Sequence, residues 1–382
     1  MSKGTIVYIG GMEMPDGNAA AHRALNNSKI FRDLGYEVVF VGVDRSINSD
    51  CYEEKSFGGF KSFPSKYPTG AKEWIKRLLD SKHIEFVLDK FSDLKFVVCY
   101  NMHALPLSRV IKYCKKRNAK VVADATEWYG NEFSLFPVKF IKWLDTKICM
   151  TKLQKKVDGM IAISEYLYDY YKGSVKNIIK LPPLVDTSED IWAGEVEKSG
   201  DAVEFIYAGQ PGKDKDDLGF IVEAFSLVNK DKNYKFKVIG CLKDEFLTLY
   251  PEKADCLNKI GDRVEFVGRL SHEESVRALR ESDYSVFIRE KTRKNDAGFP
   301  TKFAECVTAG VGIIASDVSN ISDYFPLSDS CLLKEKDVGA LAEYLGRAIE
   351  NGKKRNEVKK TFDYRNFERD INDFLNDCEE KG

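Results

Sequence analysis

Histidine is scarce in this chain: there are four in 382 residues, and no two stand at the i, i+4 spacing of a helical metal site. A histidine-built zinc centre is therefore not expected. Cysteine is present but unpatterned. The nine (51, 99, 114, 149, 241, 256, 306, 331 and 378) are odd in number, scattered, and form no C-x-x-C pair, which speaks against a disulfide framework and suits reduced core thiols of a cytosolic protein. Charge of one sign is also lacking, because 59 basic residues balance 60 acidic ones. No global field then draws nucleic acid or an anionic membrane, so such a partner needs a local patch. Nowhere do about eighteen apolar residues run together, so no spanning helix is expected. The start, MSKGTIVYIGGMEMPDG, shows neither the basic flank nor the apolar segment of a signal peptide. G-x-S-x-G, P-loop and kinase signatures and G-x-G-x-x-G are missing, which argues against hydrolase, phosphotransferase and ordinary dinucleotide-binding readings.

What is present is a globular composition, 43% hydrophobic and 31% charged, in a chain long enough for two or three buried cores. Valine- and isoleucine-rich runs alternate with amphipathic stretches: TIVYI from Thr5, a helix from Ala19 to Leu34, EVVFVGV from Glu37, KFVVCY from Lys95, a helix from Leu105 to Arg117, KVVAD from Lys120 and GMIAIS around Ile161. The rhythm resumes at VEFIYA from Val203 and runs through YKFKVIG, VEFVG, YSVFI and GIIAS. Fully apolar strands of this kind belong to parallel sheets covered on both faces. The polar, acidic segment 186–201 reads as a linker. The domains expected are thus 1–185, on the acceptor side, and 202–362, with a C-terminal helix at 363–382 packing back on the first through Phe367, Ile371 and Phe374.

The stretch YSVFIREKTRKNDAGFPTKFAECVTAGVGIIAS, residues 284–316, is the most informative. A strand ends near Arg289, Gly298 permits close backbone approach, and Pro300 suits the first turn of the next helix. The free amides of that helix, Phe303 included, together with Arg289, Arg293 and Lys302, form an expected phosphate site. Glu305, one turn in, is placed to accept from two vicinal ribose hydroxyls. A capped helix with an early glutamate is also ordinary dipole matching, so spacing alone leaves both readings open.

The run AGFPTKFAECVTAGVGIIAS resembles the nucleotide-sugar signature of retaining glycosyltransferase family 4, in which two glutamates eight positions apart flank a Gly-Phe-Gly or Gly-Phe-Pro loop. Glu305 matches the second glutamate, and Ala297 stands where the first would be, with Asp296 beside it. The resemblance implies the α/β GT-B fold, two facing Rossmann-like doubly wound domains with parallel sheets. It also implies a donor site built from Gly209, Arg289, Asp296, Gly298, Phe299, Thr301, Lys302, Phe303 and Glu305. In the loop after Val203–Ala208, Lys213 or Lys215 would face the donor diphosphate. No metal is then required, although Asp214-Lys215-Asp216 has the form of an Asp-x-Asp pattern. After KVVAD, Glu127 would orient or deprotonate the acceptor hydroxyl, with Asp124 and Thr126 beside it.

In GGMEMPDGNAAAHRAL, Gly10, Gly11 and Gly17 would let backbone approach a sugar or its phosphate, and His22 or His103 would face the acceptor. His83 and His272 read as solvent-facing. The activity implied is transfer from a nucleotide sugar, a UDP-sugar in particular, to a glycan or lipid-linked acceptor of surface or capsular polysaccharide synthesis, in the cytoplasm and without a cofactor. An epimerase on the same fold and a non-catalytic nucleotide-sugar binder are the alternatives. From Pro137 to Val157, lysines 139, 142, 147, 152, 155 and 156 face one acid, Asp145. Such a segment suits either an anionic membrane or a sheet-covering helix with its lysines in water.

Overall fold

The computed structural model describes residues 2–128, 138–196, 198, 200–212, 216–325, 330–353 and 356–380, with residues 138 and 139 described by backbone only. Two compact units divide the chain: Met1–Leu184 with Tyr364–Gly382, and Val185–Asp363.

The first unit is built on a sheet of β1 (Thr5–Ile9), β2 (Glu37–Val41), β3 (Lys55–Phe57), β4 (Phe60–Ser62), β5 (Leu94–Tyr100), β6 (Lys120–Ala125), β7 (Gly159–Ala162) and β8 (Ile178–Lys180). Their order is β8-β7-β6-β5-β1-β2-β4-β3. All neighbours run parallel except the β3–β4 hairpin. Every residue of β1 is buried, as a parallel strand covered on both faces requires. Helix α1 (Ala19–Asp33) starts where Asn18 Oδ1 accepts the Ala21 N–H at 2.9 Å, satisfying a donor the helix itself cannot. Three further helices matter below: α2 (Ala71–Leu79), α3 (Ala104–Arg117) and α4 (Val138–Ile148). The C-terminal helix Glu368–Glu380 sinks Ile371, Phe374, Leu375 and Cys378 into this unit's core. A Cβ at Gly159 would lie 2.5 Å from Cys378 Sγ and 2.7 Å from the Phe374 ring, so the strand needs glycine there to receive the helix.

The second unit carries six parallel strands: β9 (Val203–Ala208), β10 (Tyr234–Ile239), β11 (Val264–Gly268), β12 (Tyr284–Phe287), β13 (Gly312–Ser316) and β14 (Cys331–Leu333), in the order β11-β10-β9-β12-β13-β14. Its core is aromatic, with the Phe225 and Phe236 rings stacked at 4.3 Å and Phe205 stacked on Tyr284 at 5.4 Å. Helices α5 (Leu218–Leu227), α6 (His272–Glu281) and α7 (Thr301–Ala309) bear on the site. A capping box opens α6, in which Ser271 and Glu274 exchange hydrogen bonds.

The segment 186–201 is not a free linker. Trp192 is buried, and the Arg280 guanidinium donates to the carbonyls of Ile191, Ala193 and Gly194 at 2.5 to 3.0 Å. These three bonds, from a group rich in fixed N–H donors, satisfy a polar segment that composition alone would leave in water. In each sheet the chain reverses direction at one place, between β1 and β5 in the first and between β9 and β12 in the second. Loops leaving the carboxyl ends of the strands part there and leave a crevice, where ligands bind in open α/β sheets.

Candidate functional site

In the second unit the reversal gathers three loops. Asp216, after β9, forms an isolated bridge with Arg289, after β12, and the Arg289 N–H donates to Ser316 Oγ, at the end of β13, at 2.8 Å. Arg289 Nε lies 2.6 Å from Asp216 Oδ1, and Lys302 Nζ, from the first turn of α7, lies 2.5 Å from Oδ2. Burial by itself would raise the Asp216 pKa, but the charges of Lys302 and Arg289 outweigh it and hold the carboxyl well below the usual range. One buried anion thus fixes two cations at the strand ends. The Lys302 ammonium also sits over the Tyr207 ring, 4.5 Å from its centroid. Gly209 makes room for it. At φ +148° a Cβ there would stand 2.7 Å from Lys302 Nζ.

Glu305 follows one turn along α7, and its Oε1 pairs with His272 Nε2 at 3.1 Å. His272 opens α6, so it is not the solvent-facing residue expected; it braces the carboxylate. His83 is likewise buried, bonded to Ser65 Oγ and the Cys51 carbonyl.

Several sequence expectations need correction. The Phe303 amide is not free, because it donates to the Pro300 carbonyl at 2.9 Å. The Phe299 and Phe303 side chains are core, packed with each other and with Phe362. Gly298 has φ −80°, a backbone that any residue adopts. Asp296 Oδ1 accepts the Ser319 N–H and braces that loop, and Ala297 is fully buried. Arg293 is exposed at the start of the short helix Arg293–Ala297. Thr301 is half-buried at the start of α7. Lys213, Asp214 and Lys215 lie outside the described residues.

The first unit holds a different cluster at its reversal. Asp124, expected at an acceptor site, is fully buried at the end of β6. Arg23, from α1, holds it with a fork of Nε at 3.0 Å and Nη2 at 2.8 Å, and Nη1 reaches the Leu181 carbonyl at 3.0 Å. The Tyr8 hydroxyl donates to the same carboxylate, and burial first, then Asp124, push the Tyr8 pKa far up. A carboxylate enclosed in this way joins α1 to the sheet and touches no solvent. Arg23→Lys keeps the charge but loses the fork. It should cost about 2 to 3 kcal/mol in denaturant unfolding, one charge-assisted bond or more. A loss below about 0.5 kcal/mol would show the fork to be dispensable.

At Gly10 a Cβ would meet Tyr100 Cβ at 2.7 Å, so its lack of side chain serves packing against β5. At Gly17 a Cβ would meet Glu13 Cβ at 2.8 Å, whereas Gly11 faces open space. His103 Nδ1 pairs with Asp145 at 3.0 Å, and the same carboxylate accepts the Ala104 N–H and caps α3. His22 is half-buried on α1. Glu127 is half-buried beyond a network in which Asn101, at φ +42°, and Tyr100 meet the Thr126 hydroxyl.

Residues 189–362, nearly the whole second unit, match the family model described as Glycosyl transferases group 1. No curated protein matches the chain. Among solved structures, sucrose-phosphate synthase from Thermosynechococcus elongatus is similar at 12% identity and TM-score 0.72, covering 99% of this chain and 100% of its own. A glycosyltransferase from Rickettsia africae aligns at 13% identity and TM-score 0.66, over 100% of both chains. HepE from Anabaena, solved in complex with UDP and glucose, aligns at 10% identity and TM-score 0.60, covering 98% of this chain and 99% of its own. The fold is therefore GT-B, two Rossmann-like α/β domains with parallel sheets, and the second unit is a glycosyltransferase domain.

Proposed function

We propose that the protein is a retaining glycosyltransferase of family 4 that takes a nucleotide sugar, a UDP-sugar in particular, in its second unit. The acceptor is a glycan or lipid-linked hydroxyl of surface polysaccharide synthesis, held by the first. The observation that carries the donor reading is the convergence of Arg289 and Lys302 at the reversal of the second sheet, with Glu305 one turn further along the same helix. Two fixed cations suit a diphosphate, whose charge grows as the glycosidic bond breaks, and they act most strongly at that moment. Glu305, braced by His272, presents a carboxylate to the ribose hydroxyls. Lys213 or Lys215 adds a further cation, and Glu127 orients the acceptor hydroxyl.

This scheme needs no metal. Both oxygens of Asp216 are engaged by Arg289 and Lys302, so the Asp-x-Asp pattern does not present that carboxylate to a cation. Release of nucleoside diphosphate from a panel of donors, with acceptor present, should proceed with EDTA at nearly the untreated rate. A rate abolished by EDTA and restored by manganese would overturn the metal-free reading. The buried Ala297 favours a second reading, a domain that binds donor without turning it over. Acceptor-dependent turnover excludes it, and donor consumption without acceptor would instead indicate an epimerase.

A further inference from the structure

Thirteen large apolar side chains are exposed among the described residues, and eight of them belong to α2, α3 and α4 of the first unit. Helix α2 buries only Leu78 and leaves Trp74, Ile75 and Leu79 in water, Leu79 at 53% exposure. On α4, Phe140, Ile141, Leu144 and Ile148 are exposed, Phe140 at 48%. The apolar stripe of α4 therefore does not turn inward, as a sheet-covering helix would require.

The three helices adjoin. Helix α3 packs against both α2 and α4. Arg109 Nη1, on α3, donates to the Leu79 carbonyl at the end of α2 at 2.7 Å, while Asp145, on α4, accepts the Ala104 N–H at the start of α3 at 2.9 Å. Exposed Leu105 lies along α3 between these two joints, and with the exposed residues of α2 and α4 it makes up the apolar surface of three adjoining helices.

Charge indicates what covers the patch. These helices contain eleven basic residues and two acidic ones, in a chain whose net charge is −1. Both acids are engaged internally, Glu73 with Lys66 and Thr69, and Asp145 with His103 and the α3 amide. Lysine is depleted from protein–protein interfaces, whereas apolar residues interleaved with lysine suit the boundary between acyl chains and anionic headgroups. Among the described residues no helix is long and apolar enough to cross a membrane, so the contact is a surface one.

We propose that α2, α4 and the start of α3 form a docking face for an anionic lipid bilayer, with Trp74, Phe140, Ile141 and Leu144 entering the interface and Lys142 and Lys147 meeting the headgroups. The proposal is independent of the transferase reading, because lipid binding is measured without donor or acceptor.

The test is flotation of the full chain with vesicles of phosphatidylcholine alone and of phosphatidylcholine with about one third phosphatidylglycerol. Binding is expected only to the anionic vesicles, with a blue shift of tryptophan emission, and should weaken as salt shortens the Debye length from about 30 Å at low ionic strength to about 8 Å. The double variant K142Q/K147Q should bind about tenfold to thirtyfold more weakly, at about 1 kcal/mol per lysine near the surface. Leu144→Gln should lose the blue shift. All replaced side chains are exposed, and an unchanged far-UV circular dichroism spectrum separates lost docking from lost folding. Binding that is absent, equal on neutral vesicles, or unchanged in both variants overturns the proposal, as does a dimer in sedimentation that Leu144→Gln dissociates.

Discussion

Lys302→Met should lower kcat/KM for the donor by about a hundredfold to a thousandfold, the effect of removing one fixed electrostatic stabiliser of a developing charge. Methionine retains an apolar stem over Tyr207 and removes the ammonium, so the change isolates the charge. It also leaves Asp216 buried with Arg289 as its remaining cation. That should cost about 1 to 3 kcal/mol of stability, the range for a buried group that loses a partner. Comparing activity with the denaturant midpoint separates the two effects. Turnover that falls only in proportion to the folded fraction would reduce Lys302 to a partner of Asp216.

Glu305→Gln should lower donor efficiency about 30-fold to several thousand-fold. A hydrogen bond to a charged group contributes about 1.5 to 3 kcal/mol, so the loss of one or two amounts to roughly 2 to 5 kcal/mol. A factor of ten corresponds to about 1.4 kcal/mol. Glutamine preserves shape and helix propensity and still accepts from His272, so folding should be nearly unchanged. A variant that folds normally and binds donor within about threefold of the parent would make Glu305 a helix-dipole partner only.

The fold was largely legible because parallel strands are apolar along their whole length. The runs from Thr5, Glu37, Lys95, Lys120, Val203, Tyr234 and Gly312 all form strands, several to the residue. Between residues 45 and 90 no comparable apolar run exists: the short β3 and β4 gave no periodic signal, and α2, although its Trp74, Ile75, Leu78 and Leu79 follow a helical spacing, is only nine residues long. That the segment 186–201 is tied to the second unit was not legible, because Arg280, which satisfies its carbonyls, lies some 87 positions away.

The site divides in the same way. Arg289, Lys302 and Glu305 share one strand–loop–helix unit and were readable together. Asp216, which positions two of them, is 73 residues from Arg289 and 86 from Lys302, and only the sheet order brings them together. His272 is 33 residues from Glu305. Asp124 failed in the opposite sense. An acid at a strand end reads as exposed, and nothing local reveals an arginine 101 positions earlier that encloses it.

The central claim is that the cations fixed by Asp216 hold a nucleoside diphosphate. Calorimetric titration of UDP in EDTA, into the parent and into Lys302→Met, tests it most directly. The account predicts one site per chain in the parent and affinity about 13-fold to 160-fold weaker in the variant, which is one charge-assisted bond of about 1.5 to 3 kcal/mol. Equal affinity in parent and variant, or no binding to the parent at all, would contradict it.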